Sequence, residues 1–351
     1  MAERKFKVVV QKPPVAQGTN AAYEMERDAL DPIGAEIVEV DAGSEEAFLA
    51  EAKDADALIA RNRRINATII EGLERCKVIG LNSVGADTVD VDAATRCGIV
   101  VTNVPDVFID EVADHTMALF LAAHRQVRKM HLLMQEGRWA EGRPCFNEVP
   151  RLWGQTLGLI SFGNVARAVG RRCHAFGLRV IAYDPFVSEL EMTREQVEPE
   201  TSLMALLRRS DFVSMHAPLN AQTRHMLSTP HFEAMKPSAL FINNGRGPTV
   251  DEIALTAALE QGAIAGAALD VFETEPLDPS SPLLQMDNVI CTPHAASATS
   301  RMLPESRRRL GRELATVLTG RWPRSAVNPG VLPGMDLDRW QPYSAGRGPN
   351  R

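Results

Sequence analysis

The chain has 351 residues, of which 45% are hydrophobic and 24% charged, and it carries a formal net charge of −7 at pH 7. This composition is that of a globular protein, and the length suits two domains better than one core. The acidic balance argues against nucleic acid as a partner, because contact with a phosphate backbone needs a basic face.

The five cysteines are scattered without any C-x-x-C pair. This spacing offers neither a zinc site nor a disulfide framework, so we expect no metal and a reducing, cytoplasmic location. The first segment, "MAERKFKVVVQKPP", has too short an apolar run for a signal peptide or a membrane span. No later run reaches the roughly 18 apolar residues of a spanning helix, so we expect no membrane partner.

Five short β-branched segments come first in the chain: "FKVVV", "AEIVEV", "ADALIA", "CKVIGL" and "GIVVTN". Helix-length segments separate them, an alternation typical of parallel βαβ units. After Pro105, the stretch "DVFIDEVADHTMALFLAAHRQVRK" predicts one long helix, with acidic residues in its first turn and basic residues in its last. Its apolar stripe consists of Val112, Leu119, Phe120 and Ala123.

A second series of strand-like segments follows: "TLGLIS", "LRVIAYD", "DFVSMHA", "ALFINN", "IAGAALDVF" and "NVICTPH". Six strands with intervening helices predict a doubly wound Rossmann-type domain over about 105–296. A last helix is predicted over roughly 304–319, between Pro304 and Gly320. Since the second sheet is already complete, we expect this helix to pack back on the first domain.

Together these elements predict an α/β protein with two Rossmann-like domains. The doubly wound parallel-sheet domain, residues 105–296, is inserted into a smaller flavodoxin-like substrate domain formed by residues 1–104 and 297–330. Residues 331–351, which include Trp340 and Tyr343, are rich in Gly and Pro and are interpreted as a tail. The run Arg307–Arg309 lies in the last helix and is interpreted as a solvated helix face.

The segment "LISFGNVARAVG", residues 159–170, has the form of a turn that holds the pyrophosphate of a dinucleotide. Such a turn reads G-x-G-x-x-G, and here Ser161, Gly163 and Ala166 occupy the three positions. The middle glycine is the hardest to replace, because a side chain would stand where the phosphate must come, and alanine is an accepted variant at the third position. Ser161 is the departure, and we expect its hydroxyl to accept from a free amide at the helix start or to donate to a phosphate oxygen.

The next strand ends in Asp184, where an acid is expected to receive the ribose hydroxyls. A carboxylate there repels a 2′-phosphate, so the sequence predicts NAD rather than NADP. A structural strand–turn–helix without any ligand is the alternative interpretation of the segment.

Four polar side chains follow apolar runs of the second series: Arg246, Asp270, Glu275 and His294. Ligands of open parallel sheets bind at the carboxyl ends of the strands. An arginine can grip a substrate carboxylate with two hydrogen bonds, and a histidine paired with a carboxylate can donate a proton to a carbonyl. These residue types are those needed for reduction of a 2-keto acid. Glu273 is an alternative to Glu275 as the partner of the histidine.

At these residues the chain resembles the D-isomer-specific 2-hydroxyacid dehydrogenases. The resemblance is carried by "FINNGRGPTVDEIALTAALEQGAIAGAALDVFETEP", "NVICTPHAAS", "NSVGAD" and "GIVVTNVPDVFIDEVADHTMALFLAAHR", and it covers about residues 50–330. It implies an enzyme that uses NAD to interconvert a D-2-hydroxy acid and its 2-keto acid. The phosphoglycerate, glyoxylate and hydroxypyruvate enzymes of the family are the nearest expectations.

The resemblance also implies roles for individual residues. His294 would be the acid/base, Glu275 its partner and Arg246 the group that binds the substrate carboxylate and carbonyl. The backbone amides of Val84 and Gly85 would form a second grip on the carboxylate, and His294 would also contact the substrate. The residues implied at the cofactor are Ser161, Phe162, Gly163, Asn164, Val165, Asp184, His216, Ala217, Pro218, Asn244, Gly245, Arg246, Asp270 and His294.

Three questions remain open at the level of the sequence. Arg61 and Arg63 would either meet a second anionic group of the substrate or lie exposed on a turn. The family also resembles C-terminal-binding-protein corepressors, so an NAD(H)-sensing interaction protein is the alternative function. By analogy with the family, residues 126–155 would form a homodimer contact, through Trp139, Phe146 and Trp153.

Overall fold

The computed structural model describes residues 6–12, 23–147 and 149–339. Contacts between Cα atoms divide the chain into two compact units: Met1–Val107 with Thr299–Arg351, and Phe108–Ala298. The strands are β1 (Phe6–Gln11), β2 (Ala35–Val40), β3 (Ala57–Ile59), β4 (Val78–Gly80), β5 (Val100–Thr102), β6 (Thr156–Ile160), β7 (Arg179–Tyr183), β8 (Glu198–Pro199), β9 (Phe212–Met215), β10 (Leu240–Asn243), β11 (Gly266–Leu269) and β12 (Val289–Cys291). The α-helices are α1 (Glu24–Leu30), α2 (Glu45–Ala52), α3 (Ala67–Glu71), α4 (Val91–Arg96), α5 (Ile109–His124), α6 (Val127–Gln135), α7 (Trp139–Gly142), α8 (Asn164–Ala175), α9 (Glu189–Arg194), α10 (Leu203–Arg209), α11 (Thr229–Glu233), α12 (Glu252–Glu260) and α13 (Met302–Leu318).

The first unit contains a five-stranded sheet in the order β2-β1-β3-β4-β5, and every pair of neighbours is parallel. This is the flavodoxin-like order, with helices on both faces. Val8, Val9 and Val10 of the central strand β1 are fully buried, and the odd and even positions contribute to different core clusters. The all-apolar strands therefore follow from burial on both faces of the sheet.

Helix α13 packs on this first sheet, as the sequence predicted. A Cβ atom at Gly80 of β4 would lie 2.4 Å from Leu310 Cδ1 of the helix, so a larger residue would displace this leucine side chain. At Gly311 of α13 the neighbour is backbone: a Cβ atom there would lie 2.6 Å from the backbone oxygen of Glu26 in α1, so glycine permits this close approach of the two helices. The chain thus returns to its first unit after completing the second.

The interpretation of Arg307 as part of a solvated helix face is wrong. Its side chain is 3% exposed and its Nε donates to both carboxylate oxygens of Glu26, at 2.8 and 3.0 Å, and Glu26 is itself fully buried. The neighbour Arg308 does lie outside, near Asp28 and Glu305. A buried charge is tolerated only with a partner, and α1 supplies that partner from the other end of the chain.

Part of the interpreted tail also belongs to the folded first unit. Val331 and Leu332 are buried in its core, and Trp322 Nε1 donates to the backbone oxygen of Leu337 at 3.1 Å. Residues 340–351, with Trp340 and Tyr343, lie outside the described residues.

The second unit contains a seven-stranded parallel sheet in the order β12-β11-β10-β9-β6-β7-β8. This is the Rossmann order, which reverses between β6 and β9. The α/β class with two parallel sheets is therefore as predicted. The sequence missed the edge strand β8 because its two residues carry no apolar pattern.

The long helix predicted after Pro105 is two helices. Gln126 has a left-handed backbone (φ 49°), which separates α5 from α6. Leu119 and Phe120 of the predicted stripe are buried, and Val112 and Ala123 are partly exposed. Ala113, Met117, Leu119 and Phe120 of α5 belong to a core cluster of the second unit.

Within the described residues, none of the helices combines the length and apolarity needed to cross a membrane. All five cysteines are free thiols. The cytoplasmic location inferred from their spacing stays a prediction.

Candidate active site

The polar residues singled out in the second series all follow strands of one parallel sheet at the same edge. Asp184 follows β7, Arg246 follows β10, Asp270 follows β11 and His294 follows β12. The turn at Ser161 follows β6, next to the point where the strand order reverses. Parallel strands present their carboxyl ends to a common edge, which is where such sheets bind ligands.

His294 and Glu275 form a hydrogen-bonded pair. His294 Nδ1 lies 2.7 Å from Glu275 Oε2, and the two side chains are 47% and 35% exposed. The other carboxylate oxygen of Glu275 accepts from the amide of Phe272 at 3.0 Å. Glu273, the alternative partner, contacts His225 instead, at 2.6 Å. The geometry therefore pairs His294 with Glu275.

The pair alters the pKa of both groups. The hydrogen bond from Glu275 raises the pKa of His294 above its ordinary value, against the opposing effects of burial and of the Arg246 charge. Burial acts to raise the pKa of Glu275, but the hydrogen bonds from His294 and the Phe272 amide outweigh it, and the net pKa is lowered. The arrangement therefore favours a protonated imidazole next to an ionised carboxylate.

The backbone of His294 is held in an unusual conformation. Its φ of 49° lies in the left-handed region that non-glycine residues seldom adopt. Its amide donates to the backbone oxygens of Asp270 and Thr292, at 2.8 and 3.0 Å. These two bonds hold the turn after β12 and so fix the direction from which the ring meets Glu275.

A second loop brings Arg246 to this pair. Gly247 allows it, because a Cβ atom at that position would lie 1.8 Å from the backbone oxygen of Phe272. The loop of Arg246 therefore packs directly on the loop that leads to Glu275. The side chain of Asn243 closes the turn, accepting from the Gly245 amide at 3.0 Å and donating to the Arg246 backbone oxygen at 3.2 Å. The sequence carries a signal for this close approach in the triplet Gly245-Arg246-Gly247, whose last glycine was not among the predicted site residues.

Asp270 is fully buried and anchors the turn before His294. It accepts hydrogen bonds from the Thr292 hydroxyl at 2.6 Å and from the amides of Ala295 and Ala296, each at 2.9 Å. Three donors from the segment around His294 thus converge on one carboxylate, which makes the turn after β12 rigid.

His115 completes this network from helix α5. Its Nε2 lies 3.1 Å from the Thr292 hydroxyl and 3.5 Å from Asp270 Oδ1. His115 was not among the predicted site residues, because helical periodicity does not indicate which strand end a helix faces. The signal available in the sequence was a polar residue, His115, on the face of α5 that packs on the sheet.

The turn after β6 differs from the expectation in one contact. Ser161 has a φ of 71°, the left-handed conformation that explains why glycine is usual at this position. Its hydroxyl donates to Asp184 Oδ2 at 3.1 Å, and among the described residues no amide of the helix start donates to it. The amides of Phe162 and Phe186 donate to the same carboxylate, each at 2.8 Å. Ser161 thus links the turn to the predicted ribose acid.

Gly163 keeps space open at the start of α8. A Cβ atom there would meet nothing within 4 Å, and Gly163 is the N-terminal cap residue of this twelve-residue helix, so its first amide groups point to that space. Ala166 is fully buried against the sheet. These observations fit a dinucleotide whose pyrophosphate lies at the start of α8.

The remaining residues predicted at the cofactor have different surroundings. Phe162 and Ala217 are buried, and Asn244 is buried beside Thr116 Oγ1, at 3.1 Å. His216 Nε2 contacts the Ser214 hydroxyl at 2.9 Å, and burial lowers the pKa of His216 to about 4, so this ring is neutral at pH 7. At the surface or partly exposed are Asn164, Val165, Pro218 and Gly245. Their cofactor contacts stay predictions.

In the first unit, Val84 and Gly85 lie after β4 in the segment "NSVGAD". The Val84 backbone oxygen accepts from Asn103 at 2.7 Å, and the Gly85 backbone oxygen accepts from the Ser83 hydroxyl at 2.8 Å. Within the part of the chain that the structure describes, neither of the two amides donates a hydrogen bond. Both are therefore available to an anion, and their role as a grip on the substrate carboxylate stays a prediction.

The guanidinium groups of Arg61 and Arg63 contact other residues of the first unit. Arg63 Nε donates to Gln11 at 2.8 Å and its Nη2 donates to the Ala42 backbone oxygen at 2.5 Å. Arg61 lies over the Tyr23 ring and 3.7 Å from Glu26. These contacts favour a structural role over the suggested second anion site.

Comparison with known proteins agrees with this geometry. Residues 117–296 match the family model described as D-isomer specific 2-hydroxyacid dehydrogenase, NAD binding domain. The chain is 39% identical over 301 residues to the glyoxylate reductase of Thermofilum pendens, covering 84% of this chain and 88% of that protein. It is 37% identical over 327 residues to the D-3-phosphoglycerate dehydrogenase of Methanocaldococcus jannaschii, covering 93% of this chain and 61% of that longer protein.

Among solved structures, the chain is similar to the NADPH-dependent glyoxylate/hydroxypyruvate reductase of Sinorhizobium meliloti in complex with NADP and malonate. The two share 30% sequence identity, and their TM-score is 0.77. The similarity covers 92% of this chain and 96% of the reductase chain.

The fold and site define a nicotinamide-dependent oxidoreductase. The chain belongs to the D-isomer specific 2-hydroxyacid dehydrogenase family. The names of these relatives do not favour the corepressor alternative.

Proposed function

We propose that this protein uses NADH to reduce a small 2-keto acid to the D-2-hydroxy acid, and catalyses the reverse oxidation with NAD. The observation that carries the proposal is the pair of His294 and Glu275, 2.7 Å apart and half-exposed, beside Arg246. A histidine held in this way keeps its proton to higher pH than a free imidazole, and the arginine next to it supplies a grip for a carboxylate.

His294 is proposed as the acid/base. An ionised carboxylate can only accept, so the proton on Nδ1 points to Glu275, and Nε2 is the nitrogen that exchanges a proton with substrate. In reduction, Nε2 donates its proton to the carbonyl oxygen, and in oxidation the neutral Nε2 removes the hydroxyl proton. Glu275 stabilises the charged ring and fixes its orientation.

Arg246 is proposed to bind the substrate carboxylate and to polarise the carbonyl oxygen. The amides of Val84 and Gly85 are proposed as further donors to the carboxylate. Glyoxylate and hydroxypyruvate are the substrates we expect first, since relatives of this length are named for them.

When bound, the nicotinamide would supply the hydride to the carbonyl carbon in reduction and would accept it from the same carbon, then bearing the hydroxyl, in oxidation. The residues proposed to hold the dinucleotide are the start of α8 at Gly163, for the pyrophosphate, and Asp184, for the ribose. Three hydrogen bonds fix the Asp184 carboxylate, and its charge favours NAD over NADP. We propose that Asp270 faces the nicotinamide carboxamide.

The proposal is tested by following NADH and NADPH oxidation with glyoxylate, hydroxypyruvate, pyruvate and 3-phosphohydroxypyruvate. We expect reduction of at least one of the small acids, with a larger kcat/KM for NADH than for NADPH. Binding of NADH without reduction of any 2-keto acid in a wider panel would refute the enzyme. Preference for NADPH would refute only the assignment of Asp184.

Replacement of Glu275 by glutamine is expected to move the pH dependence of keto acid reduction to lower pH. Reduction needs protonated His294, so its rate falls as pH rises through the His294 pKa, which Glu275 raises. Glutamine removes that effect and leaves burial and Arg246, which lower the pKa, and the smaller effect of Asp270, which raises it. Rate profiles of kcat/KM against pH for parent and variant measure the shift, and Glu273→Gln is the matched control. An unmoved profile would contradict the role of Glu275.

We also propose a homodimer formed through residues 126–155. Trp139 and Trp153 of this segment are 74% and 65% exposed, which is unusual for tryptophan on a free surface. Phe146 instead packs with Arg125, whose guanidinium carbon lies 4.9 Å from the ring centroid. Light scattering is expected to give the mass of a dimer for the parent and of a monomer for Trp139→Ser. A monomeric parent would refute the proposal.

A further inference from the structure

A pocket of about 310 Å³ lies in the first unit and plays no part in the proposed reaction. It opens beside α13 and is bounded by α1, by the segment after α1, and by the chain that follows α13. Its lining includes Ala29, Ile33 and Ala315, which are apolar, and four arginines. This volume is at the lower end of the range for small-molecule sites.

The positive charge in this pocket is only partly neutralised. Glu313 is 2% exposed, and both of its carboxylate oxygens are already occupied. Oε1 accepts from Arg309 Nε at 2.5 Å, and Oε2 accepts from the Arg324 amide at 2.8 Å. Arg309 is also close to Asp106, 3.5 Å from it. Glu313 and Asp106 therefore interact with Arg309, and Glu313 also accepts a hydrogen bond from one backbone amide.

Arg312 and Arg321 differ from the other arginines of this region. Both are exposed, and neither forms an ion pair with a carboxylate of the described residues. Arg308, on the outer face of the same helix, has acidic neighbours in Asp28 and Glu305. Within the described residues, Arg312 on α13 and Arg321 beyond its end thus line the pocket without a carboxylate partner, on a protein whose net charge is −7.

Stabilisation of the helix does not explain these arginines. Cations favour a helix when they lie in its last turn, and the last turn of α13 contains no basic residue. Arg312 lies earlier in the helix, at the spacing that places it on the same face as Thr316 and Thr319. Arg321 lies beyond the end of the helix. The two arginines approach one pocket from two parts of the chain.

The hydrogen-bond donors open to a ligand are guanidinium groups. The hydroxyl of Thr316 donates to the Arg312 backbone oxygen at 2.7 Å, and that of Thr319 to the Ala315 backbone oxygen at 2.8 Å. A guanidinium group matches the planar fork of a carboxylate or the oxygens of a phosphate. The apolar part of the lining accommodates the carbon skeleton that joins two such anionic groups.

We propose that this pocket binds a small organic polyanion, with two or more carboxylate or phosphate groups held by Arg312 and Arg321. The ligand joins α13 to the chain after it, and so stabilises the first unit against unfolding. The proposal is independent of the reaction assigned to the second unit, since all the lining residues belong to the first.

The test uses the full chain, saturated with NADH so that the dinucleotide turn is occupied. Inorganic pyrophosphate and propane-1,2,3-tricarboxylate serve as probes, with ionic strength held constant. Calorimetry and thermal unfolding are measured for the parent, for the double variant Arg312→Gln/Arg321→Gln, and for Arg208→Gln. Arg208 is an exposed arginine on α10 in the other unit and controls for the loss of surface charge.

We expect at least one probe to raise the unfolding temperature of the parent and of Arg208→Gln. The double variant should bind that probe roughly tenfold or more weakly, because it lacks the charge-assisted hydrogen bonds of both guanidinium groups. Binding of pyrophosphate alone would identify a phosphate ligand, and binding of both probes a general polyanion site. No binding of either probe, or equal binding by all three proteins, would overturn the proposal. Unchanged circular dichroism and keto acid reduction by the double variant establish that it is folded.

Discussion

Replacing His294 with alanine is expected to lower the turnover of keto acid reduction by on the order of 10²–10⁴, the usual contribution of a positioned general acid. The affinity for NADH should change little, because the ring is fixed by Glu275, and the open space at Gly163 belongs to a different strand end. Turnover is measured under saturating substrate, and NADH binding by fluorescence titration. Unchanged turnover would remove His294 from its proposed role.

The control for this prediction is the second histidine–glutamate pair of the same unit. His225 and Glu273 are 2.6 Å apart and 42% and 31% exposed, close to the values of the proposed catalytic pair. His225→Ala should therefore reproduce any general effect of removing a surface ion pair and leave turnover intact. Equal loss in both variants would show that the effect is structural.

A further variant separates chemistry from backbone strain. His294 has a φ of 49°, and alanine tolerates this conformation less well than asparagine does. His294→Asn should keep the turn after β12 but has no group that titrates. Its turnover should fall as far as that of His294→Ala.

The sequence predicted most of the fold because its strands are short, β-branched and buried on both faces. It missed features that depend on distant parts of the chain. Arg307 looked like an exposed helix residue, since its partner Glu26 lies 281 positions earlier. The break between α5 and α6 at Gln126 has neither glycine nor proline to signal it.

For the site, the sequence located the strand ends but not the contacts between them. It favoured Glu275 over Glu273 only by resemblance. In the structure, Glu275 is hydrogen-bonded to His294, whereas Glu273 contacts His225. It suggested that the Ser161 hydroxyl accepts from a helix amide or donates to a phosphate oxygen, and it did not predict the hydrogen bond from this hydroxyl to Asp184. Hydrogen-bond partners of this kind require side-chain positions that periodicity does not give.

Replacing Arg246 with glutamine is expected to lower kcat/KM for the keto acid by on the order of 10²-fold, through the loss of charge-assisted hydrogen bonds to the carboxylate. Arg246→Lys keeps the charge but not the planar fork, so we expect an intermediate loss. The measurement is steady-state reduction of the best substrate found with NADH. A kcat/KM equal to that of the parent in both variants would refute the assignment.

The pH profile of Arg246→Gln gives a second and more specific readout. The Arg246 charge lowers the pKa of His294, so its removal lets that pKa rise. Because reduction needs the protonated ring, the falling limb of the rate profile should move to higher pH, opposite to the shift expected for Glu275→Gln. Glutamine at position 246 cannot produce this shift through lost substrate binding alone, since binding of the carboxylate does not titrate near neutral pH. Opposite shifts in the two variants would show that the charges of Glu275 and Arg246 both act on the protonation of His294. Shifts in one direction would contradict the proposed electrostatic arrangement.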